Sequence, residues 1–110
     1  MPALLFAYGT LQDPEVRRAV FGREVIGQPG ALPGYVRVAV TIDDPAAPTG
    51  KTQYFNLEPA PDAKESVPGT VLEIGETDLA VADDYEQDAG YRRRLVTLHS
   101  GEQAWVYLRP

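Results

Sequence analysis

The stretch Ala3-Leu4-Leu5-Phe6-Ala7-Tyr8-Gly9-Thr10-Leu11 decides the fold. A continuous apolar run stopped by glycine describes a strand buried on both faces, since a half-exposed strand would alternate. Asp13-Pro14-Glu15 follows at once. Asp13 is an N-cap, Pro14 suits the first helical position, and Gly22 ends the helix after Val16, Ala19 and Val20 at helical spacing, with Arg17 and Arg18 in its last turn. The opening is therefore strand, glycine turn, short helix.

Beyond it the pattern turns β-like. Val25–Leu32 is weak and broken by Pro29-Gly30, Tyr35–Val40 is firmer, and Asp43–Thr52 reads as a loop because of Pro45, Pro48 and Gly50. A short strand over Gln53–Leu57 and a loop over Glu58–Ser66 lead to Val71, Leu72 and Ile74, a strand expected to begin after Pro68. Glu76–Glu86 is a second helix with Thr77 as expected N-cap and Asp78 in its first turn. Tyr91–Leu98 alternates, Ser100-Gly101 is a hairpin turn, and Gln103–Leu108 returns. Six or seven strands and two short helices predict an α+β fold with a largely closed sheet, residues 1–110 forming one domain.

Composition narrows the chemistry. Of 110 residues, 16 are acidic and 10 basic, a net charge of −6 with no basic stretch, which argues against nucleic acid or an anionic membrane as partner. There is no cysteine, so no thiolate nucleophile or disulfide framework, and the single histidine, His99, excludes a histidine metal cluster. Neither Ser66 nor Ser100 sits in a Gly-x-Ser-x-Gly turn. The apolar start is too short for a signal peptide and lacks a basic leader, so a soluble, cytoplasmic domain is expected. Carboxylates, tyrosines, arginines and backbone must carry any reaction.

Three apparent motifs fail. Gly50-Lys51-Thr52 resembles the end of a phosphate loop, but the required upstream glycine is Pro45. Asp84, Glu86 and Asp88 open like a calcium loop, yet its sixth and twelfth places hold Ala89 and Leu95. Arg92-Arg93-Arg94 lies on a strand, where side chains alternate between faces, and pairing with the acids of 83–88 is the simpler use.

One carboxylate is out of place. Leu79, Ala82 and Glu86 are spaced i, i+3, i+7, so Glu86 follows the stripe that faces the core. Burial, the helix C-terminus and the neighbouring Asp83, Asp84 and Asp88 would all raise its pKa, and such a group is a candidate for acid–base work. The alternative is an ordinary ion pair with Arg92 or Arg94. The turn Tyr8-Gly9-Thr10-Leu11 is a second candidate, because a strand ending in glycine before a capped helix leaves N–H groups aimed into one concavity, fit for a carboxylate.

Phe6-Ala7-Tyr8-Gly9-Thr10-Leu11, then Asp83-Asp84-Tyr85-Glu86, then Tyr91-Arg92-Arg93 together resemble the gamma-glutamylcyclotransferase-like family, in order and spacing over nearly the whole chain. The likeness is greatest to the short branch containing gamma-glutamylamine cyclotransferases. The resemblance implies a small mixed β-barrel with flanking helices. It also implies release of an amine from a gamma-glutamyl compound as 5-oxoproline forms, without metal or cofactor. Residue by residue, it gives Glu86 the role of catalytic glutamate, Tyr8, Gly9, Thr10 and Leu11 the grip on the substrate's alpha-carboxylate, and Tyr91 a place lining the pocket. Asp83 matches an aspartate of structural character. Ala82 stands where the family has leucine, Gln87 where glycine is frequent, and Thr41–Glu65 lacks the family's tyrosine-proline pattern. The rival reading is a non-catalytic small-molecule or protein-interaction module on the same fold.

Overall fold

In the computed structural model, residues 3–43, 45–46 and 51–109 are described. Strand β1 (Ala3–Ala7) leads through a short 3-10 turn (Thr10–Gln12) into helix α1 (Pro14–Phe21). Then come β2 (Gly27–Leu32), β3 (Tyr35–Asp43), β4 (Lys51–Pro59) and β5 (Val67–Ile74), helix α2 (Glu76–Gln87), and the hairpin β6 (Arg92–Thr97) and β7 (Gln103–Leu108). Five strands form one mixed sheet in the order β2-β5-β1-β7-β6, and β3 and β4 form a separate antiparallel ribbon.

β1 sits at the sheet's centre, antiparallel to β5 and parallel to β7, where Leu5 faces Trp105. Its side chains divide between two cores. Leu5 and Ala7 pack with Leu72, Ile74, Leu79 and Ala82 under the helices. Phe6 and Tyr8 pack with Leu32, Leu57, Leu98 and Val106 on the other face. This two-sided burial is what the unbroken apolar run demands, and each fully buried Leu or Phe contributes about 1.5–3 kcal/mol.

The α+β class and the two flanking helices are as expected, but the barrel is not closed. The sheet curls until its two edges meet, among the described residues, at one bond, His99 N–H to Ala31 O at 2.9 Å, without forming a ladder there. The reason lies in the edges: β2 carries Pro29, which lacks an N–H, and β6 carries Arg92, Arg93 and Arg94, whose charges discourage further pairing. The ribbon departs at the Pro33-Gly34 turn, where Gly34 takes a φ of +81°.

Three boundaries differ from the sequence reading. β5 begins at Val67 and includes Pro68, which pairs with Ala31 of β2. β1 pairs with β5 only as far as Thr70, so at Pro68 one side of the strand needs no donor. The N-cap of α2 is Gly75 rather than Thr77, because the Asp78 carboxylate reaches back to accept the Gly75 N–H at 3.0 Å. The ribbon runs longer than expected, with Asp43, Lys51 and Thr52 in strands, while 44 and 47–50 of the expected loop, including Gly50 of the rejected phosphate-loop motif, lie outside the described residues. The α1 boundaries are as read: Asp13 accepts from Glu15 N at 2.9 Å and Gly22 closes the helix in the left-handed region. Of the two arginines, however, only Arg18 lies in the last turn, Arg17 being the fourth of eight helical residues.

Candidate active site

Glu86 reaches its position through the α2 stripe. Leu79 and Ala82 are buried at 6% and 0% exposure, and one turn further on the same face the helix presents Glu86, partly buried, to a cavity. Among the described residues its carboxylate has neither a hydrogen bond nor an ion pair. The alternative pairing with Arg92 or Arg94 is not made: both are exposed, and the middle arginine, Arg93, meets Asp83 at 3.7 Å and lies 4.5 Å over the Trp105 ring. Removal from water without a compensating cation pushes the Glu86 carboxyl up to about 7. Burial is the cause of the shift.

The cavity has a volume of about 740 Å³, and Tyr8, Gly9, Thr10, Leu11, Glu86 and Tyr91 all line it. β1 delivers the turn to the cavity. The turn's own hydrogen bonds begin at Gln12 N–H to Gly9 O (3.1 Å) and Asp13 N–H to Thr10 O (3.0 Å). The N–H groups of Gly9, Thr10 and Leu11 meet no acceptor among the described residues. A Cβ built on Gly9 would find nothing within 4 Å, so that position opens onto free space.

Tyr91 is held beside the glutamate by its own backbone, its N–H donating to Glu86 O at 3.2 Å. Its hydroxyl crosses to the ribbon and donates to Phe55 O. Tyr8 likewise donates its hydroxyl to Tyr107 O. Burial first, then Tyr91 and Glu86, raise the Tyr8 hydroxyl pKa; burial and then Glu86 raise that of Tyr91. With their protons committed to carbonyls, both hydroxyl oxygens present lone pairs, which suits a cationic or N–H-bearing ligand. Asp83 is engaged elsewhere, accepting from Tyr107 OH at 2.7 Å.

Several lining residues were not singled out from the sequence. Arg37, Tyr54 and Phe55 come from the ribbon, and Arg37 stacks 4.4 Å over the Phe55 ring. Nothing local marks them, because their approach depends on how the ribbon folds over the sheet. Tyr85 is different: it precedes Glu86 in the same motif, and its hydroxyl lies 2.9 Å from Thr10 Oγ1, joining α2 to the turn. No group of three or more His, Cys, Asp or Glu among the described residues is arranged to hold a metal, and no described helix is long and apolar enough to cross a membrane.

The α+β fold thus places a partly buried carboxyl, unpaired among the described residues, in the lining of the same cavity as a backbone turn with unused N–H groups. The chain belongs to the family described as gamma-glutamyl cyclotransferase, AIG2-like, whose profile matches residues 5–110. Its fold resembles a solved gamma-glutamyl cyclotransferase, with a TM-score of 0.74 at 16% identity over 100% of this chain and 68% of that one. An uncharacterized protein from Homo sapiens superposes with a TM-score of 0.78 at 18% identity, covering 99% and 67% of the two chains. An AIG2-like protein from Mus musculus gives 0.59 at 21% identity over 97% and 76%. No curated protein sequence matches the chain.

Proposed function

We propose that the protein is a gamma-glutamyl cyclotransferase, converting a gamma-glutamyl amine or peptide into 5-oxoproline and the free amine, with Glu86 as general base and then general acid. The observation that carries this reading is the shared cavity: it is lined both by an unpaired carboxyl raised to about 7 and by a turn whose N–H groups at Gly9–Leu11 have no acceptor among the described residues. Family membership supports the same chemistry.

The reaction asks for little more. The turn takes the substrate's alpha-carboxylate. Ionised Glu86 removes a proton from the alpha-ammonium, whose N–H groups the lone pairs of Tyr8 and Tyr91 help to orient. The freed nitrogen attacks the gamma-carbonyl carbon, a C–N bond forms, and the tetrahedral adduct carries negative charge on oxygen and positive charge on the ring nitrogen. Protonated Glu86 then returns its proton to the departing nitrogen, the original C–N bond breaks, and the carbonyl re-forms. The second proton left on the ring nitrogen passes to the released amine, giving the neutral lactam. A carboxyl with a pKa near neutrality serves both directions of transfer. Because the attack is intramolecular, holding the substrate in its ring-closing shape supplies much of the rate.

The direct experiment incubates the purified protein with gamma-glutamyl amines, gamma-glutamyl dipeptides and glutathione and measures 5-oxoproline by chromatography. Formation from at least one of them, absent in Glu86→Gln, is expected. No product from any of them, or equal product from the variant, would overturn the assignment.

A further inference from the structure

Among the described residues one buried charge lies behind the turn. Arg17 is only 7% exposed. Its Nη1 donates to Gln12 O at 3.3 Å and to Leu11 O at 3.5 Å, and its Nε is buried with no partner. No carboxylate pairs with it among the described residues, where the ion pairs are Arg23–Asp78 and Arg93–Asp83. A guanidinium keeps its charge at any working pH, and burying a charge without a counterion is costly. The position adds a second cost, since Arg17 lies in the N-terminal half of α1, where the helix dipole disfavours a cation.

The surroundings nevertheless accommodate the side chain. A Cβ on Gly27 would come within 3.0 Å of Nη1, so a larger residue there would crowd the guanidinium. Sixteen acidic residues were open to recruitment as a partner, yet two carbonyls hold the group instead. Those carbonyls belong to Leu11 and Gln12, the far end of the turn that presents the unused N–H groups to the cavity. In a protein of net charge −6 the general field repels anions, so affinity for one must come from local charge and dipoles.

We propose that Arg17 is a positioning residue for carboxylate binding: it holds the Tyr8–Leu11 turn from behind and supplies the positive charge that makes the turn prefer a carboxylate to a neutral amide. The inference rests on the reading that this turn takes the substrate's alpha-carboxylate. Arg17 does not itself line the cavity, so it acts on bound carboxylate through the turn whose Leu11 and Gln12 carbonyls it holds.

The test compares 5-oxoproline with its carboxamide, titrated into wild type, Arg17→Met and Arg17→Lys and followed by the amide resonances of Gly9–Leu11. Wild type should bind the carboxylate about tenfold or more tighter than the amide; Arg17→Met should bring the ratio close to one, and Arg17→Lys should restore part of it. Arg17→Met should melt no lower than wild type, since an unpaired buried charge is removed. A purely structural arginine would shift the melting temperature and leave the ratio alone. A folded Arg17→Met with the wild-type ratio overturns the proposal, as does a wild type with no carboxylate preference. Should the Met variant fail to fold, Arg17→Lys and Arg17→Gln carry the same comparison. Turnover of gamma-glutamyl compounds by wild type is read separately. Turnover with a ratio indifferent to Arg17 sinks this inference alone. An Arg17-dependent ratio without turnover supports it and sinks the cyclotransferase reading alone.

Discussion

Replacing Glu86 by Gln tests the central residue through stability as well as activity. The side chain keeps its size and loses its charge. In the folded protein the carboxyl titrates near 7 against an ordinary 4.5, so between those values the native state holds a proton that the unfolded chain has released. Stability must then fall as pH rises through this window, and the penalty is complete above about 7. At 1.36 kcal/mol per unit the full displacement corresponds to about 3 kcal/mol; Glu86 is partly exposed, and solvent screening reduces this to about 1–2 kcal/mol. For a domain of this size that is a gain of roughly 4–8 °C in melting temperature for Glu86→Gln at pH 8. At pH 4 both side chains are neutral and the two proteins should melt together. The assay is a pair of thermal melts across pH 4–8.5, with 5-oxoproline formation measured in parallel. A difference between the two proteins that is the same at every pH, or a variant that melts lower than wild type at pH 8, would refute the claim that burial raises this carboxyl. Retained turnover would refute its role in the reaction.

Three further outcomes are expected. The pH profile of kcat/KM should rise with a midpoint near 7, since the base must be ionised to accept the alpha-ammonium proton, and a flat profile from pH 5 to 8 would exclude Glu86 as that base. Tyr91→Phe removes the donor to Phe55 O and should cost about 1–3 kcal/mol of stability in denaturant melts while leaving measurable activity; unchanged stability would show that the hydroxyl bond to the ribbon is not made. Gly9→Val should leave the melting temperature nearly unchanged, because its branched side chain enters open space, but raise KM tenfold or more by filling the cavity beside the turn; wild-type kinetics in that variant would remove the turn from the substrate site.

Much of this protein is written in local sequence. The run Ala3–Tyr8 has to lie between two apolar layers because no alternation lets either face meet water, and β1 does so. Asp13, Pro14 and Gly22 delimit α1 because caps act through bonds to residues two to four positions away. The inward aim of Glu86 follows from the helical period that buries Leu79 and Ala82. What depends on distant segments could not be read this way. Pro29 and Pro68 break a strand on local grounds, yet both sit in β2 and β5, because the structure leaves an unpaired side wherever a proline needs one. Closure of the sheet was decided by its edges: a proline on one and arginines on the other leave, among the described residues, one joining bond. Arg37, Tyr54 and Phe55 reach the cavity only because a ribbon that begins at Tyr35 folds across it. Arg17 looks like a solvated cation beside Arg18 until Gly27 and the Leu11 and Gln12 carbonyls enclose it. The pKa of Glu86 divides the same way. The periodicity sets the direction in which the carboxyl points, but desolvation is a property of everything packed around it, and only the tertiary structure brings those groups together.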